Sequence, residues 1–327
     1  MGCRRFIYVR RLIWLKMSKI VTITLNPSID KSSSVPSLIP DQKLRCKETK
    51  YEPGGGGVNI SRAIKKLGGE STAYFLSGGH FGDLFIDLLK LKEIPFQASP
   101  IKNETRESLI LLDESNANQY LLSMEGPVVE EHEWENFLRL IEDIDSVTLM
   151  VASGSLPRGM PVDFFGRLGK IAKKKRARYI VDTSGVALAH AVEAGVYLIK
   201  PNLREFGLLV GAANMNIELA KKYATEMLAT QKCEAIIVSL GADGALLVSK
   251  EIIEHIPSPP IIQKSTVGAG DSMVAGVVLS LAHRQSLLEA TRYGVACGAA
   301  ATLNPGTALC KKEDADALYL KMGGSKS

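Results

Sequence analysis

The sequence lacks the cysteine patterns of a disulfide-stapled or zinc-binding protein. It has five cysteines, an odd number, which are scattered along the chain with no two in a CxxC spacing. A disulfide framework or a zinc site needs paired or regularly spaced cysteines. We therefore expect structural thiols and a protein of the reducing cytoplasm.

Long apolar segments are missing as well. The basic and apolar stretch at residues 1–16 is too short for a membrane span and has no small-residue cleavage site. Gly2 would suit myristoylation, but Phe6 stands where Ser or Thr is needed. We interpret residues 1–16 as a disordered or misassigned N-terminal extension, with the domain beginning at Met17, and we expect no membrane partner.

Strong charge and the standard phosphate motifs are also absent. The formal net charge is only +5 over 327 residues, which does not indicate a nucleic-acid partner. No GxxxxGK[ST] occurs, and GAGDSM at 268–273 fails GxGxxG because Met273 occupies the third glycine position. Any nucleotide chemistry must therefore use another kind of site.

What the sequence does contain is a regular alternation of strands and helices. Helical periodicity is clear over 57–67 and 83–91. Predicted strands are the runs at 20–25, 71–77, 147–153, 177–182, 196–200 and 235–240. Continuous apolar strands joined by helices indicate the α/β class, with a mainly parallel central sheet covered on both faces.

Two segments interrupt that alternation. Residues 32–52 have no helical period, and residues 106–123 are typical of two strands joined by a polar turn at 114–118. We expect a small β-sheet lid, formed by about 31–52 and 100–125, on a single domain of residues 17–327.

The stretch TVGAGDSMVAG at 266–276 sets three glycines before a helix predicted over 271–282. The first turn of a helix has unpaired N–H groups and the positive end of the dipole, and glycine lets a ligand approach the backbone. This predicts an anion cradle for a phosphoryl group, with Asp271 accepting a proton from an attacking hydroxyl. The alternative is a glycine-rich loop in which Asp271 is an ordinary N-cap, and the stretch alone does not decide between them.

Three further features suit a phosphorylated sugar. Asp30 follows the first strand and can accept hydrogen bonds from two hydroxyls, although it could equally be a turn residue. Four glycines at 54–57 before Asn59 would let a sugar lie on the backbone, the alternative being a flexible hinge. If residues 43–47 form a strand, the cations at 43, 45 and 47 share one face. Together with Arg106 they would suit a substrate phosphate. The alternative is that they protect a solvated edge strand.

Polar residues at later strand ends suit a nucleotide and its metal. Asn202 and Glu205 lie three apart, so a helix would place an amide oxygen and a carboxylate on one face for water-mediated Mg²⁺. Ser239, Gly241 and Gly244 form a candidate edge for nucleotide phosphates. NPGT at 304–307 could border a base pocket, and Ser155 could contact a phosphate.

Five segments, GGGGVNISRA, SGSLPRG, KPNLRE, VSLGADG and STVGAGDSMVAG, resemble the signatures of the ribokinase-like (PfkB) carbohydrate kinases. The resemblance runs from about residue 20 to 320 and implies a three-layer sandwich. TLNPSID, KLRC and PGGGGVN are most similar to the PfkB-type 6-phosphofructokinases. Gly56 stands where the GGKG run of 1-phosphofructokinases and tagatose-6-phosphate kinases has lysine, which favours fructose 6-phosphate over their substrates.

The resemblance implies transfer of phosphate from ATP to the C1 hydroxyl of fructose 6-phosphate, with Asp271 as base. The implied anion hole comprises Gly268, Ala269 and Gly270. The implied sugar and sugar-phosphate ligands are Asp30, Gly55, Gly56, Asn59, Lys43, Arg45, Arg106 and Ser155. The implied nucleotide ligands are Lys200, Asn202, Ser239, Gly241, Gly244 and Asn304, with Glu205 organising Mg²⁺.

The resemblance also implies a K⁺ site and a homodimer. The backbone at Ser265, Val267, Asn304 and Gly306 would hold K⁺. Two positions depart from the family pattern at this site. Many relatives have Asp at the position of Ser265, and close relatives tend to have Arg at the position of Ala308. Subunits would pair through their lids, so that the cations at 43 or 45 act on the neighbour's substrate. Within the family, a tagatose-6-phosphate kinase or a 1-phosphofructokinase stays open. Two other functions also stay open: a nucleoside kinase, which would not need the basic row, and a non-catalytic sugar-phosphate sensor, which would need neither Asp271 nor Glu205.

Overall fold

The computed structural model describes residues 19–304 and 308–324. The proposed extension at 1–16 and Gly306 lie outside these ranges. The strands are β1 Ile20–Thr24, β2 Ser28–Val35, β3 Lys50–Gly54, β4 Thr72–Ser77, β5 Phe96–Pro100, β6 Arg106–Asp113, β7 Asn118–Ser123, β8 Leu149–Ser153, β9 Arg178–Asp182, β10 Val196–Ile199, β11 Cys233–Ser239, β12 Ala245–Ser249 and β13 Ile253–Ile256.

The helices occupy both faces of the larger sheet. They are α1 Gly56–Lys66, α2 Gly79–Leu91, α3 Glu131–Glu142, α4 Phe164–Lys175, α5 Gly185–Ala194, α6 Leu203–Val210, α7 Ile217–Ala229, α8 Ala269–Ala282, α9 Leu287–Thr302 and α10 Lys312–Lys321. No helix in the two described ranges is long and apolar enough to cross a membrane.

The central sheet has the strand order β13-β12-β11-β10-β9-β8-β1-β4-β5 and contains every strand predicted from the apolar runs. Pairing is parallel from β5 across to β11, and β12 and β13 are antiparallel to their neighbours. Alternate residues of β1 point into opposite cores: Val21 and Ile23 into one, Ile20 into the other. The predicted α/β class with a mainly parallel sheet between helical layers is confirmed.

A separate sheet of order β3-β2-β6-β7 lies beside the central one. β2 pairs in parallel with β6, which sets Ser28 opposite Arg106. β6 and β7 form the predicted antiparallel hairpin. The small separate sheet is confirmed, and its action as a lid stays a prediction.

The prediction of a strand through residues 43–47 is wrong. β2 ends at Val35, and the chain continues without regular structure, apart from a short turn around Pro40, until β3 begins at Lys50. Pro36 cannot donate a ladder hydrogen bond, and Asp41 has a left-handed φ of 57°, so β2 does not extend into this segment; one backbone bond, from Lys47 N to the Ser34 carbonyl at 2.9 Å, joins the segment to β2. Lys47 instead pairs with Glu114 at 2.7 Å.

Candidate active site

The predicted chemical residues converge at the carboxyl edge of the central sheet. β1, β8, β9 and β10 all end there, and the turns that follow them carry polar side chains. The amino-terminal ends of α1 and α8 reach the same edge, because Asn59 of α1 touches Asp271 of α8. Parallel strands place ligand sites at this edge of an α/β sheet.

Helix α8 supplies the predicted anion cradle. It begins at Ala269, two residues before the predicted start, and Gly268 is its N-cap with φ 77°. A side chain at 268 would be strained in that conformation and would crowd Leu309. The Ala269 N–H donates to the Thr266 carbonyl at 3.3 Å. The cradle therefore depends on the other N–H groups of the first turn beside Asp271, which at a helix start have no intrahelical acceptor and can bind an anion.

The Asp271 carboxylate is only partly accessible. Burial raises its pKa to about 7, and the nearby carboxylates of Asp182 and Asp30 add to that effect, while the Asn59 amide and the Lys200 ammonium oppose it. A carboxylate with a pKa near the working pH is suited to general-base catalysis. The contribution of Asp30 also shows that the sugar-binding candidate and the candidate base lie within electrostatic range of each other.

Asn59 is held by a buried arginine that the sequence analysis did not single out. Its Nδ2 donates to Asp271 Oδ2 at 2.9 Å, and its Oδ1 accepts from Arg62 Nη1 at 2.9 Å. Arg62, with a side chain 4% exposed, also donates to the Pro53 carbonyl and pairs with Glu52 at 2.6 Å. Because carboxylates accept and guanidinium groups donate, this network fixes the orientation of the Asn59 amide.

Asp30 lies at the start of the small sheet. It accepts a hydrogen bond from Ser28 Oγ at 2.6 Å, and burial raises its pKa against the opposing charges of Arg62 and Arg106. The Arg106 guanidinium lies within reach, bonded to the Asn26 carbonyl at 3.3 Å. A carboxylate and a guanidinium thus stand side by side near Asp271, one suited to sugar hydroxyls and the other to a phosphate.

The four-glycine run packs closely against the protein itself. A side chain at Gly54 would overlap the Asp30 carboxylate, and one at Gly56 would overlap Ser153 Oγ. At Gly57 a Cβ would lie 2.5 Å from the Ile23 carbonyl oxygen, and Gly55 has φ 105°. These contacts explain why glycine is needed at each position, so the run is not a flexible hinge.

A cleft of about 630 Å³ lies on the other side of α8. Four of the predicted nucleotide ligands line it: Asn202, Ser239, Gly241 and Gly244. Ala269 and Gly270 of the cradle border the same cleft, and Pro259 and Val295 contribute apolar wall. The cleft therefore leads from an apolar pocket to the anion cradle, as a nucleotide with its phosphates would require.

Lys200 is buried against a partner that was also missed. Its side chain is 7% exposed and pairs with Asp182 at 3.2 Å. Burial alone would lower the pKa of Lys200, but the carboxylates of Asp182, Glu205 and Asp271 outweigh it and raise the pKa. Asp182 ends β9 at the carboxyl edge, which is the signal that would have identified it from the sequence.

The predicted magnesium pair has a different geometry. Asn202 is the N-cap of α6 and not a residue of its first turn. It forms a capping box with Glu205. In this box Asn202 Oδ1 accepts from Glu205 N at 2.8 Å, and Glu205 Oε2 accepts from Asn202 N at 2.9 Å. The amide oxygen is thus used by the cap. Within 19–304 and 308–324 no cluster of three His, Cys, Asp or Glu could hold a metal directly. The second Glu205 oxygen fits a hydrated Mg²⁺, which keeps several waters and needs few protein ligands.

Three of the four candidates for K⁺, Ser265, Val267 and Asn304, come together at the end of α9, and Gly306 lies outside the described residues. Ser265 N donates to the Thr302 carbonyl at 3.3 Å, which brings the 265–267 loop near Asn304. The Ser265 hydroxyl donates to Gln119 of β7 at 2.9 Å and accepts from Val267 N at 3.2 Å. Asn304 is buried and does not line the nucleotide cleft, which Thr302 borders instead.

The residues predicted to bind the sugar phosphate fall into two groups, one near Asn26 and one on the exposed segment before β3. Ser155 Oγ accepts from Asn26 Nδ2 at 3.1 Å and so lies near Arg106, which also binds Asn26. Asn26 Oδ1 is buried without a hydrogen-bond partner among the described residues, so it can receive a donor from a ligand. Lys43 and Arg45 are exposed on the irregular segment before β3 and do not share a strand face.

Comparisons with known proteins agree with this geometry. A family model described as pfkB family carbohydrate kinase matches residues 17–314. The ATP-dependent 6-phosphofructokinase isozyme 2 of Escherichia coli K12 is 40% identical over 304 residues, covering 93% of this chain and 98% of that protein. The 1-phosphofructokinase of Bacillus subtilis is 33% identical over 282 residues, covering 86% and 91%.

Solved structures show the same likeness. The chain matches E. coli phosphofructokinase-2 in complex with potassium with a TM-score of 0.91 at 40% identity, over 94% of this chain and all of that one. A tetrameric inhibited form of the same E. coli enzyme matches with a TM-score of 0.89 at 39% identity, over 94% and 100%.

Proposed function

The chain belongs to the pfkB family of carbohydrate kinases, and from that premise we propose that it phosphorylates fructose 6-phosphate at the C1 hydroxyl, using ATP, to give fructose 1,6-bisphosphate. One observation carries the proposal. Asp271, a carboxylate whose pKa is raised by burial, is within electrostatic range of Asp30, which Arg106 in turn affects, and it directly follows Ala269 and Gly270, which border the cleft. The E. coli relative named as an ATP-dependent 6-phosphofructokinase supports this choice of substrate.

In the proposed reaction, Asp271 takes the proton of the C1 hydroxyl as its oxygen attacks the terminal phosphorus of ATP. A new O–P bond forms, the bond from that phosphorus to the bridging oxygen of ADP breaks, and the leaving group departs in line. The first-turn N–H groups of α8 and the Lys200 ammonium stabilise negative charge on the phosphoryl oxygens. The hydrogen bond from Asn59 favours the ionised form of the Asp271 carboxylate.

Asp30 would hold the sugar at the other end by accepting hydrogen bonds from two hydroxyls, with the backbone at Gly55 and Gly56 beneath the ring. Arg106 and Ser155, which both contact Asn26, would bind the 6-phosphate. Lys43 and Arg45 are exposed away from these contacts, so a role for them requires a neighbouring subunit, as the expected lid-paired dimer would provide.

Glu205 would hold Mg²⁺ through water. The Mg²⁺ carried by ATP neutralises charge on the β- and γ-phosphates. Loops around Ser265, Val267 and Asn304 would hold K⁺, and a potassium complex of the E. coli relative supports testing this. Replacing K⁺ with a tetraalkylammonium salt at fixed ionic strength should lower the rate, whereas equal rates in both salts would remove K⁺ from the proposal.

The small sheet would pair two subunits. Leu121 and Leu122 of β7 are 57% and 51% exposed, which is unusual for large aliphatic side chains in a strand. Since the E. coli relative is known in a tetrameric form, sedimentation of wild type and Leu121→Asp decides the state of this chain. A lid-paired dimer should dissociate in the variant, and an unchanged mass would refute lid pairing.

The proposed activity is tested by coupled ADP release with a panel of acceptors. Fructose 6-phosphate should give the highest kcat/KM, ahead of tagatose 6-phosphate, fructose 1-phosphate and a nucleoside. Preference for fructose 1-phosphate would instead support the activity of the B. subtilis relative. Binding of sugar phosphate without ADP release from any acceptor would favour a sensor.

A further inference from the structure

A second large cleft lies at the opposite, amino-terminal edge of the central sheet. It has a volume of about 920 Å³ and is bordered by the starts of β1, β8 and β9 and by the chain that follows α8. We call it the basal cleft and define it by its four cationic side chains, Lys19, Arg176, Arg178 and Arg284. The proposed phosphoryl transfer at the carboxyl edge gives these four cations no role.

The basal cleft has charge of one sign only. No Asp or Glu is among the residues that line it. Across residues 19–304 and 308–324, no ion pair joins any of the four cations to a carboxylate. Acids near these cations are not among the lining residues: Lys19 bonds the backbone carbonyl of Asp145, and Glu234 and Glu251 are within electrostatic range of Tyr197, on which Arg178 packs. Like charges gathered without counter-charges repel one another, and a bound anion would relieve that repulsion.

The cations are positioned by the surrounding protein. The Lys19 ammonium donates to the Asp145 carbonyl at 2.8 Å, and the Arg178 guanidinium lies 4.8 Å from the centre of the Tyr197 ring. Arg176 and Arg284 follow the ends of α4 and α8 with left-handed φ values of 56° and 62°. Glycine is the favoured residue in that conformation, so arginine at either position carries a conformational cost.

A simpler explanation accounts for part of this arrangement. A cation at the end of a helix interacts favourably with the helix dipole, which would justify Arg176 and Arg284 separately. It does not account for Lys19 and Arg178, which stand at strand starts in the same cleft. The convergence of all four on one concave surface is what indicates a ligand.

We propose that the basal cleft binds a small ligand carrying two or more phosphate groups. Guanidinium groups bind phosphate oxygens through two parallel hydrogen bonds, and three arginines can engage more than one phosphate. The volume suits a nucleotide or a sugar bisphosphate. Because no aromatic side chain within residues 19–304 and 308–324 lines the cleft, recognition by the described residues depends on the phosphates and not on stacking of a base.

The test is isothermal titration of the full chain with inorganic triphosphate. Wild type is compared with Arg178→Gln/Arg284→Gln and with the matched control Lys170→Gln/Lys173→Gln, which removes two exposed charges from α4 outside the cleft. The cleft variant should bind one triphosphate fewer per chain, or bind it at least tenfold more weakly, and the control should match wild type. All three should release ADP at the same rate with saturating substrates.

Equal binding by wild type and the cleft variant would overturn the proposal, and so would equal weakening in the control, which would show general charge attraction. Neither result bears on Asp271, so the proposed activity stands or falls separately. Competition then identifies the source of the phosphates. For the triphosphate that wild type binds and the cleft variant does not, displacement by ATP indicates a nucleotide ligand, displacement by fructose 1,6-bisphosphate indicates a sugar bisphosphate, and displacement by neither indicates an inorganic polyphosphate.

Discussion

The side-chain amide of Asn59 donates a 2.9 Å hydrogen bond to the carboxylate of Asp271, which joins the first turn of α1 to the first turn of α8 across 212 positions of sequence. Both helices begin at glycine-rich turns, so this contact is made where backbone N–H groups and phosphate would meet. The bond favours the charged carboxylate, against burial and the charge of Asp182. The balance between these effects governs the predictions that follow.

The first prediction concerns the pH dependence of activity. Asp271 acts as a base only when ionised, and burial places its pKa at about 7. We therefore expect kcat/KM to rise tenfold per pH unit at acidic pH, to reach half its maximum near pH 7 and then to level off. The measurement is a profile from pH 5 to 9 with ADP release. A profile that stays flat down to pH 5 would contradict the assignment of Asp271.

The second prediction concerns stability. The pKa of Asp271 is about 7 in the folded chain against 3.8 as the ordinary value. The folded state therefore holds a proton that the unfolded state has lost between these values, and the free energy of unfolding falls as pH rises from about 4 to 7. Asp271→Asn removes this cost, so at pH 8 the variant should be more stable by roughly 1–3 kcal/mol.

Chemical denaturation at pH 8 and pH 4 checks this result. The gain should nearly vanish at pH 4, where Asp271 is neutral in the folded chain and, close to its ordinary pKa of 3.8, about half neutral in the unfolded chain. Asp83→Asn is the matched control, because Asp83 is exposed on α2 and should change stability little at either pH. A variant that is less stable than wild type at pH 8 would show that the buried charge is fully compensated.

The third prediction concerns Arg62 as a positioning residue. Lysine would keep the charge beside Glu52 but cannot also hold the Asn59 oxygen and the Pro53 carbonyl. Arg62→Lys should lower kcat by about tenfold and leave the KM for ATP unchanged. It should also raise the apparent pKa of kcat/KM, because the Asn59 bond that lowers the pKa of Asp271 is loosened.

If Arg62 had only a structural role, Arg62→Lys would reduce the free energy of unfolding without shifting the pH profile of kcat/KM. The pH profile therefore distinguishes a positioning role from a structural one. Arg167→Lys is the control, since Arg167 pairs with Asp163 on the exposed side of α4. An Arg62→Lys variant with the wild-type profile would refute the positioning role.

The fourth prediction concerns the glycine run. A Cβ at Gly57 would lie 2.5 Å from the Ile23 carbonyl oxygen, a backbone atom that cannot move aside. Gly57→Ala should therefore reduce the free energy of unfolding by about 1–3 kcal/mol. Gly169→Ala in α4 meets only ordinary contacts from 3.4 Å and should be neutral or stabilising by about 0.5–1 kcal/mol. Equal effects of the two changes in urea denaturation would contradict the close packing at 57.

Local patterns were enough to predict the strands and the helix after the GAGD loop. Apolar runs such as 147–153 and 235–240 predicted β8 and β11 because a buried parallel strand needs apolar residues on both faces. The GAGD stretch predicted α8 because glycines followed by small apolar residues mark a helix start at a close approach. These features depend on neighbours in sequence, which a single chain displays directly.

Contacts between distant segments were harder to predict. The link from Glu52 through Arg62 and Asn59 to Asp271 depends on how α1 packs against α8, and no local pattern encodes that packing. The prediction of a strand through 43–47 was wrong because alternating cations are as compatible with a loop as with an edge strand. The turn at Pro40 begins a loop there. The cap between Asn202 and Glu205 has the spacing of a capping box, which competed with the metal interpretation.

The central claim is that Asp271 removes the proton of the attacking hydroxyl, and Asp271→Asn tests it most directly. Asparagine keeps the shape of the side chain but cannot accept the proton. With fructose 6-phosphate and ATP, kcat of ADP release should fall by about 10²–10⁴-fold, while the Kd values of both substrates, from equilibrium titration, stay within about threefold of wild type. A variant that binds both substrates and turns over within about tenfold of the wild-type rate would contradict the account.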